Sequence, residues 1–296
     1  MTVFTREACM YAFSKTNEPI ATVASGSTIS LETYDCFTNQ LRHTEEFQTL
    51  DWNAINPATG PVYIQDAAPG DILRVKIERI EFAPEGVMTV GPGLGVLGDR
   101  LPHNVARPFA IEDGHVVFNE NLRIPLNPMI GVIGVAPAGE AVSCGTPGAH
   151  GGNMDNKMIT EGATLYFPVF VEGALFGLGD LHAAMGDGEI GVSGVEVAGK
   201  VTVTLDVMKG QSIPSPMLET DTELVTIASA PTLDEAVRLS VEQMADYLHP
   251  RVDLPLAELI MALSAAGQTQ ICQVVDPLMT ARFVVSKSLF QLGAAF

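Results

Sequence analysis

The run GDLHAAMGDGE, residues 179–189, places Asp180, His182, Asp187 and Glu189 directly after the apolar stretch TLYFPVFVEGALFGL. A carboxylate and an imidazole two residues apart, like Asp180 and His182, project to the same side of an extended chain. Such a pair suits a divalent metal ion or proton transfer. Asp187 and Glu189 repeat the spacing across Gly186 and Gly188, which let the backbone bend back. The plain alternative is an Asp/Gly turn carrying a surface histidine. Charges gathered beside a core are costly unless something pairs with them.

A second run lies upstream. TPGAHGGNMDNK, residues 146–157, flanks His150 with glycines and continues to Asn153 and Asp155. Gly151 and Gly152 let backbone donors come close to a ligand; Asn and Asp in ordinary turn roles are the alternative. Together the two runs supply His150, Asp155, Asp180, His182, Asp187 and Glu189 within 40 residues. Asp35 in LETYDCF ends a strand and could add a ligand or simply face water. Cys144 in VSCGTPG could be a nucleophile, although a lone cysteine more often acts as a small hydrophobe. GPGLGVLGD, residues 91–99, lacks the Lys-Ser/Thr pair of a phosphate loop.

The elements that must position these residues are mostly strands. DILRVKIE alternates Leu73, Val75 and Ile77 with Arg74, Lys76 and Glu78, and KVTVTLDVM alternates Val201, Val203, Leu205 and Val207 with polar residues. TISLETYD alternates more weakly. TLYFPVFV is apolar on both faces, and its Pro168 predicts an edge or a bulge. Strands separated by Gly/Pro/Asp turns predict a sandwich or barrel-like core. Near residue 230 the pattern changes. PTLDEAVRLSVEQMADYLHP reads as a helix capped by Thr232, with Leu233, Val237, Val241, Met244 and Leu248 on one face. DLPLAELIMALSAAG reads as a second helix with Asp253 as cap, and QICQVV as a short strand. Asp276-Pro277 reads as the cap and first-turn proline of a third helix running to about Leu292. The fold class is therefore mainly β with α+β character. A β-sandwich-like body, residues 1–225, packs against a smaller C-terminal α/β portion, residues 226–296, that is not independent.

Composition bounds the function. The chain has 296 residues, 47% apolar and 17% charged, with 28 glycines and 19 prolines. That describes a folded, turn-rich domain with a sizeable core. A net charge of -19 repels a phosphate backbone, so nucleic acid is a poor partner. Four cysteines without CxxC spacing point to reduced thiols. The first residues do not read as a signal peptide, and no apolar run is long enough to span a membrane. The expectation is a cytoplasmic protein with no membrane partner.

The segment HGGNMDNKMITEGATLYFPVFVEGALFGLGDLHAAMGDGE, residues 150–189, resembles the acetamidase/formamidase family without a break. NPATGPVYIQDAAPGD (56–71) and GVIGVAPAGE (131–140) are similar to further stretches of that family. The resemblance implies hydrolysis of a small amide, formamide or acetamide, to a carboxylate and ammonia. It implies a β-sandwich-like body joined to an α/β portion, a homodimer, and a pocket built from the glycine, histidine and acid positions of the two loops. Met185 stands where the family often has Gln, and Gln65-Asp66 where Glu-Gly is more usual.

Within that frame a metal route fits the side chains. Asp155, Asp180 and His182, with Asp35, would hold a divalent ion, zinc first and manganese or calcium as alternatives. Glu189 or Asp187 would move protons, His150 would assist, and Gly151, Gly152 and Asn153 would face the oxyanion. Two other readings stay open: a thiol hydrolase using Cys144, and a non-catalytic β-sandwich module that binds a metal or a sugar.

Overall fold

The computed structural model describes residues 2–296, and its architecture is mainly β. A nine-stranded sheet runs in the order Thr2–Phe4, Ser27–Thr33, Gly199–Met208, Ile72–Phe82, Thr164–Pro168, Met217–Glu219, Glu223–Ala230, Met279–Ser286, Gln268–Gln273. An eleven-stranded sheet packs against it. At its heart Phe176–His182 lies between Met129–Gly134 and Ala58–Ile64, and Met129–Gly134 pairs in turn with Gly151–Asn153. One core fills the space between the sheets. Leu31, Val75, Leu165 and Val203 come from the first sheet, and Ile130, Ile133, Leu178 and Leu181 from the second. The alternation of Leu73–Ile77 and Val201–Val207 fixes the register of their long mutual ladder, since a one-residue slip would turn each apolar face to water, and an irregularity at Glu78 restores the pattern at Ile80.

Pro168 sits at neither an edge nor a bulge. It is the last residue of an interior strand, paired with Ile72 on one side and lying two residues past the end of the ladder to Met217–Glu219, which stops at Tyr166, on the other. Placing it at the strand end is what an interior ladder tolerates, because proline has no N–H to give.

The C-terminal portion continues the same sheet. Glu223–Ala230 crosses residue 225, and Met279–Ser286 and Gln268–Gln273 follow it outward. Helix α1, Leu233–Leu248, begins at Thr232, whose hydroxyl accepts from the Glu235 N–H at 3.3 Å. Such a cap contributes about 1 kcal/mol. Its buried face carries Ala236, Ser240, Met244, Tyr247 and Leu248, so it is rotated from the Leu233–Val237–Val241 stripe. Small residues at the centre let the helix lie close on the sheet, where Thr226 donates to the Ser240 carbonyl. Helix α2, Leu256–Ala266, starts at Pro255 rather than at an Asp253 cap.

The predicted third helix is a strand. Residues Met279–Ser286 pair with Glu223–Ala230 on one side and Gln268–Gln273 on the other. Six consecutive residues, Thr280–Val285, are buried on both faces, a condition that a strand inside a sheet covered by a helix satisfies. The Asp-Pro signal was locally correct helix punctuation attached to another element. No helix among the described residues is long and apolar enough to cross a membrane.

Candidate active site and metal centre

Strand Phe176–His182 delivers Asp180 and His182 to one place. His182 Nε2 lies 3.4 Å from Asp180 Oδ1, 3.2 Å from Glu196 Oε2, 3.8 Å from Asp155 Oδ1 and 3.9 Å from Glu189 Oε1. All five side chains are buried. Asp276 joins them, held by Asn153, whose amide donates to Asp276 Oδ2 at 3.0 Å. Five carboxylates thus surround one imidazole. Among the described residues, no lysine or arginine ion-pairs with any of them.

Each acid arrives by a different route. Asp155 follows the short strand Gly151–Asn153. Glu196 begins a two-residue strand whose partner across the ladder is His182 itself. Glu189 enters because its loop is stitched to the C-terminal edge. The Gly188 N–H donates to the Cys272 carbonyl at 2.8 Å, and the Val274 N–H to the Gly188 carbonyl at 3.1 Å. Asp155, Asp180 and Glu189 have φ of 41°, 56° and 46°, a left-handed conformation that non-glycine residues rarely adopt and that clusters at functional sites. Gly131 makes room for the cluster. A Cβ there would stand 2.6 Å from both Asp155 Oδ1 and Asp180 Oδ2.

The electrostatics are unbalanced. Burial lifts Asp155 to about 6, with the neighbouring Asp180 adding to the rise and His182 opposing it. Burial and Asp180 lift Glu196 to about 8, again against His182. Glu189 and Asp276 are raised well above the carboxylate range by burial and by Asp155. Burial alone would depress His182, but Glu196 and Asp180 hold its pKa well above the ordinary value. Both oxygens of Asp155, Asp180 Oδ1, Glu196 Oε2 and His182 Nδ1 have no hydrogen-bond partner. Buried polar atoms without partners are rare, and carboxylate oxygens gathered on the Nε2 side of one imidazole fit a cation, whereas His182 Nδ1 faces Gly194. Two ligand sets stand side by side: Asp155, His182 and Glu189, and Cys36, Asp180 and Glu196, each with donor atoms within 4.8 Å of one another. Carboxylate, imidazole and thiolate donors together suit zinc or a similar transition ion.

Several predicted site residues go elsewhere. Asp187 lies 2.8 Å from Arg282 and 2.9 Å from Lys157, neutralised outside the cluster. Asp35 Oδ2 meets Arg42 at 2.5 Å while Oδ1 accepts from the Phe37 and Asn39 N–H groups. It is spent on a turn, and the next residue, Cys36, faces the acids. His150 packs edge-on against Phe13 at 5.4 Å between ring centroids, and burial lowers its pKa to about 4. The Gly151 N–H is already given to the Gly148 carbonyl, and the segment is laddered to Met129–Gly134. Asn153 does line the cavity. Cys144 is fully buried beside Met10 and Phe13, and burial pushes its thiol far up. A thiol so held is a poor nucleophile. Met185 lines a separate apolar depression, and Asp66, at φ 66°, ends the strand Ala58–Ile64 in a turn.

Sequence reasoning missed Glu196, Asp276 and Cys36. Glu196 is a single acid in an apolar run, and only the ladder to His182 reveals its place. Asp276 was assigned to helix capping. For Cys36, adjacency to Asp35 was the one available signal.

Asp180, Glu189, Glu196 and Asp276 line a cavity of about 320 Å³. With that geometry in hand, the chain belongs to the acetamidase/formamidase family, whose profile matches residues 13–144 and 138–249. It is similar to an acetamidase from Bacillus halodurans, at 48% identity over 98% of each chain and a TM-score of 0.95. It is similar also to a protein described as a predicted acetamidase/formamidase from Thermoanaerobacter tengcongensis, at 49% identity, 98% of this chain, 97% of that one, and a TM-score of 0.95. A formamidase of Methylophilus methylotrophus is 25% identical over 269 residues, 68% of this chain and 65% of that protein. The chain spans less than two thirds of the length of the curated relatives it matches, between 61% and 65%.

Proposed function

We propose that the protein hydrolyses an amide to a carboxylate and ammonia, at a site where buried acids hold a divalent cation. The observation that carries the reading is the surplus of buried, unpartnered carboxylates around His182. Acetamidase and formamidase relatives supply the reaction class. Asp155, His182 and Glu189 form one set that would hold such an ion and Cys36, Asp180 and Glu196 the set beside it, zinc by the chemistry of the donors. When bound, such an ion polarises a carbonyl and lowers the pKa of water from 15.7 toward roughly 7.

The chain's own groups account for the rest. Water adds to the amide carbon as it loses a proton to a carboxylate, and the C–N bond breaks as the nitrogen gains one. The carboxylic acid product ionises and the amine leaves as ammonia. Asp276 lines the cavity and stands outside both ligand sets, so it is the proton carrier we assign first. Asn153 fixes its orientation through the 3.0 Å hydrogen bond. Glu189 shares that role or ligates. Asp187 keeps the Glu189 loop in place through Arg282. A homodimer in the cytoplasm, expected from the family and the thiols, belongs to the same proposal.

The test is metal removal. Chelated protein should release no ammonia from formamide or acetamide, and adding back zinc, manganese or calcium singly should restore release with at least one of them. Full turnover in demonstrably metal-free protein would end the metal reading. Bound metal without turnover of any amide would leave a binding module instead.

A further inference from the structure

We infer that the amide taken by this site carries an apolar acyl group larger than formyl or acetyl, received by an aromatic and aliphatic wall; the inference rests on the hydrolase reading above. Away from the acids the same cavity is lined by Phe37, Trp52, Ile55, Leu94, Val192 and Pro277, with Asn56, Thr89, Ser143 and Thr146 as the polar residues among them. An amide has one polar end, and the carbonyl and nitrogen must face the acids and Asn153. Its acyl substituent then falls against this wall.

Size favours the same conclusion. The cavity measures about 320 Å³. One water takes about 30 Å³ of the liquid. Formamide or acetamide, each no larger than a few waters, leaves most of the space to solvent against apolar carbon. An apolar group that displaces such water gains affinity. Trp52 is 49% exposed at this cavity, beside Phe47 at 6.3 Å between ring centroids. A large half-exposed aromatic bordering a cavity offers area that only a ligand or partner can bury. Each added methylene should raise kcat/KM about fourfold until the wall is covered.

Trp52 is also the only tryptophan in the chain, so its emission reports occupancy without turnover. The experiment uses the metal-loaded full chain and the series formamide, acetamide, butyramide and hexanamide. Hexanamide should exceed acetamide in kcat/KM by at least about tenfold, and should perturb Trp52 emission at about tenfold lower concentration. Trp52→Ala and Leu94→Ala should each cut the hexanamide-to-acetamide ratio of kcat/KM about fivefold or more. The highest kcat/KM with acetamide, or equal concentrations of the two amides in the emission titration, would overturn the inference. If no amide is hydrolysed, the hydrolase reading falls, and the emission titration alone decides the wall: tighter hexanamide upholds it and parity refutes it.

Discussion

Two buried charged regions of this molecule solve the same problem in opposite ways. Near the C-terminus, Glu219 accepts hydrogen bonds from the Tyr166 hydroxyl at 2.6 Å, from the Lys287 ammonium and from the Ala295 N–H at 3.2 Å. Burial works against its charge, yet Lys287 and Tyr166 keep its pKa below the ordinary value. Around His182, five acids share one imidazole, and four of their six titratable groups are driven up by burial and by each other. A carboxylate whose donors come from the protein is structural. A carboxylate cluster left without donors is a standing demand for a cation or for protons.

The sharpest way to break this contrast is to remove one acid from each region. Asp180→Ala should abolish metal retention and lower amide turnover by more than about 100-fold, the loss that even an outer partner of a metal ligand can cause. Glu219→Gln should keep the metal and cost stability instead, by about 1–3 kcal/mol, because Lys287 loses its buried partner. Metal content by elemental analysis and melting temperature separate the two effects. If Asp180→Ala retains its metal and its activity, the cluster is not the site.

The contrast was only half legible in the sequence. The runs at 150–155 and 180–189 were visible because ligand-type residues sit densely there, two apart, among glycines. The structure brings Asp155, Asp180, His182 and Glu189 from those runs together, and sends Asp187 to Arg282 and His150 to Phe13. Spacing could not separate Asp187 from Glu189, because their fates depend on a strand nearly a hundred residues away. Alternation located the two longest strands, Ile72–Phe82 and Gly199–Met208, since period two is written into most of each, whereas Glu223–Ala230 and Met279–Ser286 are buried on both faces and carry no such signal. Ladder order is not written locally, so Glu196 opposite His182 could not be read. Asp276 failed for a linked reason. Misreading Met279–Ser286 as a helix gave its carboxylate a capping duty and concealed its place in the cluster.

A smaller effect follows from pH. In metal-free protein, Glu196 titrates at about 8 and His182 well above its ordinary range, so both hold protons that the unfolded chain has released between pH 6.5 and 8. The folded state then binds more protons than the unfolded state, and stability falls as pH rises through that window. His150, depressed to about 4, acts the other way but only below pH 6.5. Chelated protein should therefore melt at lower temperature at pH 8 than at pH 6.5. Saturating zinc should reverse the order, because the ion replaces the protons and binding adds about 2.7 kcal/mol at 100 times Kd. A metal-free melting temperature that climbs between pH 6.5 and 8 would show that the acids are already neutralised within the protein.

The smallest effect sharpens the same division at the level of two thiols. Cys144 and Cys36 are both buried, and burial raises both. Their surroundings differ. Cys144 donates toward the Met10 carbonyl at 3.5 Å among apolar neighbours, whereas Cys36 faces Asp180 and Glu196. Replacing Cys144 removes a small packed group and nothing that a cation or substrate would touch. Cys144→Ala should cost about 1 kcal/mol of stability. Its turnover should stay within about threefold of the parent, a barrier change under 1 kcal/mol. Cys36→Ala should instead weaken zinc retention in competition with a chelator, since a thiolate is the softest donor in the set. The pair of variants reads which thiol meets the acids, and activity lost with Cys144 but kept with Cys36 would put the thiol mechanism ahead of the metal route.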